Sequence, residues 1–167
     1  MLYTDDCLLF AKDDDTISDL CQSLSTEFLL KDEGDIAGFL GIQIDHTIAP
    51  DGSVNITMTQ PGLIDQILED VGLVGDRVTQ KRTPATQVLQ PTPNAAPFDA
   101  PWNYRSIIGK LNFLAQNTRP DISMAVHMCT RFVNQPNRTH QDAVKYLCRY
   151  LHYTCTRGLI LKPTTDN

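Results

Sequence analysis

Apolar positions along the chain fall into blocks of two periods, and these blocks predict the elements. Leu8-Leu9-Phe10-Ala11 is a short continuous run suited to a buried strand. Ile17, Leu20, Cys21, Leu24 and Phe28 then recur at helical spacing, so residues 16–28 read as an amphipathic helix, with Asp13-Asp14-Asp15 supplying its N-cap candidates. Ile42 and Ile44 alternate with Gln43, and Val54, Ile56 and Met58 alternate with Asn55 and Thr57. Asp51-Gly52 between two such runs is a hairpin signal. Pro61 opens a helix over 61–71 with Leu63, Ile64, Ile67 and Leu68 on one face.

From 76 to 101 the periodicity stops. Pro84, Pro91, Pro93, Pro97 and Pro101 exclude helix and central strand, so this stretch reads as an extended connector that either lies against a surface or moves. Three helical patterns follow. Residues 103–116 align Tyr104, Ile107, Ile108, Leu111, Leu114 and Ala115, and leave Phe113 off that face. Residues 121–134 align Ile122, Ala125, Val126, Cys129 and Val133, with Asp121 as the expected N-cap. Residues 140–153 align Val144, Leu147 and Leu151, starting at Thr139 or His140. Gly158 to Lys162 reads as a strand with no partner close by in sequence. The expected fold class is α+β: a partial antiparallel sheet with a helix and a hairpin in residues 1–75, the connector, and a mostly helical lobe over 102–157.

Charge changes this picture. The net value of −6 conceals 16 acidic against 2 basic residues in 1–76, and 4 acidic against 12 basic in 77–167. A basic second half suits a polyanionic partner, although an uneven solvated surface gives the same count. Arg131, Arg138, Lys145 and Arg149 stand open to both readings. No apolar run approaches the length of a membrane span. Asp5 and Asp6 stand where a signal peptide would carry Lys or Arg, which points away from secretion. Five cysteines without C-x-x-C spacing, most at periodic apolar positions, suggest reduced thiols in an intracellular protein.

The candidate chemistry lies near the N-terminus, in Tyr3-Thr4-Asp5-Asp6. Two adjacent carboxylates between apolar runs repel one another unless a cation sits beside them, which is what a magnesium-dependent phosphoryl-transfer site requires. An exposed Asp-Asp turn is the plainer alternative.

Further segments recur in order after it: Phe39-Leu40-Gly41-Ile42-Gln43-Ile44, Gln60-Pro61-Gly62-Leu63-Ile64, Tyr104 to Leu114, and Asn117-Thr118-Arg119-Pro120-Asp121-Ile122. Together they closely resemble the reverse transcriptase of Ty1/copia-type LTR retrotransposons, from about Leu2 to Pro163. The resemblance implies that Asp5 and Asp6 are the catalytic carboxylates and ligands of Mg²⁺, with Tyr3 beside them. It implies that Phe39–Thr59 is a primer-grip hairpin in which Gly41 permits close approach of nucleic acid. It makes the helix from Tyr104 a thumb helix, with Arg105 and Lys110 toward phosphates, Gly109 at a close approach, and Asn112 toward sugar or base edges. The implied partners are an RNA/DNA template–primer and deoxynucleotides, and the implied compartment is the cytoplasm or a virus-like particle. Residues 158–167 resemble the start of an RNase H domain. The family's other palm aspartate and its fingers segments have no counterpart in these 167 residues, so the chain alone is expected not to polymerise DNA. A non-catalytic nucleic-acid-binding module and a decayed transposon relic are the alternatives.

Overall fold

The structure is a computed structural model. It describes residues 2–3, 6–31, 37–50, 52–75 and 78–162. The chain divides into two compact units, residues 1–40 and residues 41–167.

In the first unit, β1 (Leu2–Tyr3) and β2 (Asp6–Cys7) run antiparallel, with Leu2 opposite Cys7 and Tyr3 opposite Asp6. Helix α1 (Asp14–Ser25) begins two residues before the predicted start because Asp13 caps it, accepting from the Thr16 amide at 2.8 Å. Asp14 and Asp15 then lie in the first turn, where the helix dipole favours negative charge. The helix ends before Phe28, which stays exposed. No residue of α1 is buried. Strand β3 (Gly38–Phe39) follows, and the chain turns through Leu40 and Gly41, with φ values of 52° and 75°.

The second unit opens with β4 (Ile42–Ile48) and β5 (Val54–Thr59), paired antiparallel from Gln43 opposite Thr59 to Ile48 opposite Val54. At the tip Gly52 takes φ 83°, a conformation glycine adopts without steric cost. Helix α2 (Pro61–Asp70) buries Ile64, Ile67 and Leu68. Pro61 sits in the first turn, where its missing N–H has no intrahelical partner to lose.

Helix α3 (Tyr104–Asn117) carries the predicted face inward: Tyr104, Ile107, Ile108, Leu111, Leu114 and Ala115 are all buried. Asn103 caps it by accepting from the Ser106 amide at 3.0 Å. A 3₁₀ turn (Pro120–Ile122) leads to α4 (Ser123–Thr130), and α5 (Arg138–Tyr153) completes the helical core. These four helices share one apolar cluster, in which Ile64, Ile67, Ile107, Leu111, Leu114, Ile122, Leu147 and Leu151 have at most 1% exposure.

Three expectations change here, and a fourth is completed. Asp121 does not cap α4; it lies inside the 3₁₀ turn and accepts from the Arg119 side chain instead. The Arg119 guanidinium offers the carboxylate two charge-assisted hydrogen bonds, which are stronger than those of backbone N–H groups at a helix start. Helix α4 stops at Thr130 rather than 134, because turns at Phe132, Val133 and Gln135 replace its last helical bonds. Helix α5 starts neither at Thr139 nor at His140. Asn137 caps it, accepting from the amides of Thr139 and His140, while the Asn137 amide donates to His140 Nδ1 at 3.1 Å in a reciprocal capping box. Finally, the run after Gly158 does find a partner. Strand β6 (Leu159–Leu161) pairs antiparallel with β5, Leu159 opposite Met58 and Leu161 opposite Ile56.

Gly158 is where that last strand meets β5. A Cβ there would run into the Met58 carbonyl oxygen and, at 2.6 Å, the Thr59 side-chain methyl. Because the obstacle is backbone, relief requires the strand to move. Gly158→Ala is therefore expected to cost about 1–3 kcal/mol, the usual penalty of overpacking. Urea unfolding would measure it, and a neutral result would mean that β6 does not need this close approach.

The proline-rich stretch is a strap fastened to α5. Asn137 Nδ2 donates to the Thr92 carbonyl and hydroxyl, both at 3.0 Å, and the Arg138 amide donates to the Ala96 carbonyl at 2.9 Å. The Arg138 guanidinium grips both Asp99 oxygens at 2.7 and 2.8 Å, and the Asp99 amide donates to Gln141 Oε1. Upstream, Lys81 lies 5.1 Å from the Tyr146 ring centre. At the far end Phe98 meets the Trp102 ring edge-on at 5.0 Å, and Trp102 stacks on Tyr104. Between the strap and the floor of α4 and α5 lies a cavity of about 270 Å³, lined among others by Pro84, Leu89, Met128, Cys129 and Leu147. Burial pushes the thiols of Cys129 and Cys148 up to about 11 and about 12, so both stay protonated and act as small apolar groups.

Candidate nucleic-acid interface

Helix α3 presents two faces of opposite character. Opposite its core residues, Arg105, Ser106, Gly109, Asn112, Phe113 and Gln116 are exposed. Phe113 is 44% exposed, an unusual position for an aromatic ring on a helix whose other face closes a core. Gly109 lies at the middle of this face, one turn before Phe113. No heavy atom lies within 4 Å of where a Cβ would stand at Gly109, and its φ is not left-handed. Neither packing nor backbone conformation therefore asks for glycine there. Yet a mid-helix glycine costs about 0.5–1 kcal/mol relative to alanine. Among the described residues nothing packed against Gly109 offsets that cost.

The two basic residues expected on this helix are engaged inside the protein. Arg105 donates to Asn134 Oδ1 at 3.0 Å. Lys110 pairs with Asp70 on α2 at 2.7 Å, with the two side chains 26% and 40% exposed. Such a surface pair is worth roughly 0.2–1 kcal/mol, little enough for a phosphate to compete with the carboxylate. Of the open basic residues, Arg131 lies 5.5 Å from the Phe132 ring centre, and Arg138 is held by Asp99 and Asp142.

The face is anchored at its C-terminal end by a buried polar clasp that sequence reasoning missed. Thr118 Oγ1 donates to Gln60 Oε1 at 2.9 Å, tying the end of α3 to the end of β5; both residues are at most 1% exposed. Next to it the Arg119 side chain is 1% exposed and fully engaged. Its Nε and Nη2 donate to the two Asp121 oxygens at 2.9 and 2.8 Å, Nη1 donates to the Thr154 carbonyl at 2.9 Å, and Nη2 also reaches Thr154 Oγ1 at 2.7 Å. Tyr150 Oη completes the set by donating to Asp121 Oδ2 at 2.6 Å. Partial burial works to raise the Asp121 carboxyl, but the hydrogen bonds from Arg119 and Tyr150 and the guanidinium charge outweigh it and hold the group below the usual carboxylate range. The signal in the sequence was Arg119 itself, a charged residue between two apolar helical patterns.

The remaining predicted residues are placed as follows. Gly41 is a left-handed turn residue at the entrance to β4, and among the described residues no atom crowds the position of its absent Cβ. Tyr3 belongs to β1 and Asp6 to β2, opposite one another in register. Asp5 lies outside the described residues, as do the side chains of Tyr3 and Asp6. Among the described residues no group of three or more His, Cys, Asp or Glu could hold a metal ion, and no helix is long and apolar enough to cross a membrane.

Comparison with known proteins gives a consistent set of relatives. The chain is 33% identical over 161 residues to an uncharacterized mitochondrial protein of Arabidopsis thaliana, covering 96% of this chain and 64% of that one. It is 32% identical over 167 residues to the retrovirus-related Pol polyprotein from transposon RE1 of the same plant, covering 97% of this chain and 11% of the polyprotein. It is 30% identical over 161 residues to a putative transposon Ty5-1 protein of Saccharomyces cerevisiae, of which it covers 50%. The chain thus spans less than two thirds of each of these relatives. No family model matches it, and no solved structure matches it. Aligned across nearly its whole length with transposon Pol polyproteins of plants and a transposon protein of yeast, the chain belongs to the Pol proteins of Ty1/copia-type retrotransposons.

Proposed function

We propose that this chain is part of an RNA-directed DNA polymerase, in which the outer face of α3 lies along the primer–template duplex. The observation that carries the reading is the uncrowded, conformationally unneeded glycine at position 109 beside the exposed ring of Phe113. A flat helix surface lets a duplex groove come close. The ring offers apolar contact, Asn112 offers hydrogen bonds to sugar or base edges, and Arg105 and Lys110 can exchange their protein partners for phosphates. Position is thereby set by the backbone contacts and not by sequence, as a copying enzyme needs.

Asp5 and Asp6 supply the metal-binding part of the proposal. Two carboxylates are hard oxygen donors suited to Mg²⁺, which when bound would offset charge developing at the attacking primer oxygen and the nucleotide phosphate. The role of Asp5 and Asp6 in this proposal is to hold that ion.

Binding of a fluorescein-labelled RNA–DNA hybrid, followed by anisotropy, tests the α3 reading. Affinity should fall steeply with salt. Phe113→Ala should weaken binding roughly tenfold, the order expected for loss of one aromatic contact. Gly109→Ala should raise stability by about 0.5–1 kcal/mol, since alanine is the better helix former and meets no neighbour, and yet weaken binding. Opposite signs from one methyl group separate a contact surface from a structural one. If the hybrid does not bind, or if both variants bind as the parent does, α3 is not the duplex-facing element. Asp5→Asn should leave hybrid binding unchanged, because the carboxylates serve the ion and not the duplex.

A further inference from the structure

The start of α5 joins three things through one residue. Asn137 caps the helix through its side-chain oxygen, holds the strap at Thr92 through its side-chain nitrogen, and donates its own amide to His140 Nδ1 at 3.1 Å. His140 is 2% exposed and stacked on Phe132, ring centres 3.8 Å apart and planes 14° from parallel. Its other ring nitrogen, Nε2, is buried with no hydrogen-bond partner among the described residues. The third residue of a capping box is ordinarily Glu or Gln. Here it is the one side chain whose acceptor atom disappears on protonation near neutral pH.

We propose that Asn137 and His140 form a proton-sensitive latch, which holds residues 92–99 of the strap against the start of α5 and releases them on acidification. A proton on Nδ1 turns an acceptor into a donor facing the Asn137 N–H. It also places a full charge in a site that offers Nε2 no partner, so the ring must leave the pocket. Asn137 then loses the bond that fixes its backbone, and with it the geometry of its two bonds to Thr92.

The surrounding charges do not provide a competing sensor. Arg131 lies over Phe132, and Arg138 is shared between Asp99 and Asp142. The strap contributes Asp99, whose carboxyl is held below the usual range by Gln141 and then by Arg138. On α3 Arg105 is bonded to Asn134, and α4 contributes His127, which is exposed, and Cys129, whose thiol burial pushes up to about 11. Burial holds the His140 imidazole below its ordinary value of 6.5. The latch is therefore fully closed above 6.5, and its contribution is lost as pH falls through the lower folded-state value.

The chain has one tryptophan, Trp102, buried against Phe98 at the end of the strap. Its emission reports release, while far-ultraviolet circular dichroism reports whether the helices persist. Acidifying the full chain should red-shift the emission with a midpoint below pH 6.5 at unchanged helicity. His140→Gln keeps an acceptor at the capping-box position and cannot titrate, so the shift should vanish. Asp99→Asn should leave the shift in place. The proposal is overturned if helicity falls together with the emission change, if His140→Gln retains the step, if Asp99→Asn abolishes it, or if the parent shows no step.

Discussion

Replacing Arg119 with alanine is expected to destabilise the second unit by about 1–3 kcal/mol, the penalty of leaving a buried acceptor, the Thr154 carbonyl, without its donor. Arg119 is 1% exposed, and its guanidinium fills four donor positions, two toward Asp121 and two toward Thr154. Truncation leaves the Thr154 carbonyl without its donor at the end of α5, and strands a carboxylate that is 39% exposed and still bonded to Tyr150. Arg119→Lys should recover little, because an ammonium cannot span both Asp121 oxygens and both Thr154 oxygens from one position. The clasp also sets an acid limit. Asp121 titrates below its ordinary value of 3.8 in the folded chain, so its stabilisation is complete above that pH and is lost as pH falls through the folded value. Urea unfolding at neutral pH checks the first point. A loss under about 1 kcal/mol would mean that the clasp is an ornament of the surface.

The same clasp shows where the sequence was legible and where it was not. Helix α3 and the β4–β5 hairpin were readable because local period and turn chemistry act within a few residues: the six aligned apolar positions of α3 are all buried, and Gly52 sits between paired strands, while Asp51 lies outside the described residues. Asp121 was misread because a short-range rule, the N-cap preference, met a long-range competitor in Arg119 and Tyr150 that only folding supplies. The partner of the last strand was illegible for a related reason. Leu159 pairs with Met58, 101 positions earlier in the chain, and no local pattern encodes such a register. Proline density announced an irregular strap but not its fastening, since half of the bonds that Thr92, Ala96 and Asp99 make to the start of α5 use groups every sequence has, the backbone N–H and C=O.

For the candidate interface the position is different again. Gly109 and Asn112 came from a resemblance, and the structure adds a physical reason to look at them: one is a glycine that packing does not require, the other an exposed amide on the same helix face. Arg105 and Lys110 were expected to be available to phosphates and instead have protein partners. A side chain's sign can be read from sequence, but its neighbour across the fold cannot. Phe113 fell off the apolar period of its helix. That misfit was the one sequence-level mark of an exposed ring, and exposure of 44% bears it out.

Leu111→Ala provides the second large effect and divides fold from contact on a single helix. Leu111 has no exposed surface and lies in the apolar cluster shared by α2, α3, α4 and α5. Removing its side chain forfeits the transfer free energy of the lost groups and leaves a void, together about 2–5 kcal/mol. The upper part of that range is expected, because helices on several sides restrict collapse into the space. Two residues along the same helix, Phe113→Ala removes a ring that is already partly in water and should cost under about 1 kcal/mol. Hybrid binding should follow the reverse order. At a temperature where the Leu111→Ala chain is still folded, its outer face keeps Gly109, Asn112 and Phe113, and affinity should match the parent; the stable Phe113→Ala chain should bind roughly tenfold more weakly. Paired unfolding and anisotropy titrations of the two variants give this crossing directly. If both properties fell together in both variants, recognition would depend on the folded core as a whole, and the outer face of α3 would lose its claim to be the surface that meets the duplex.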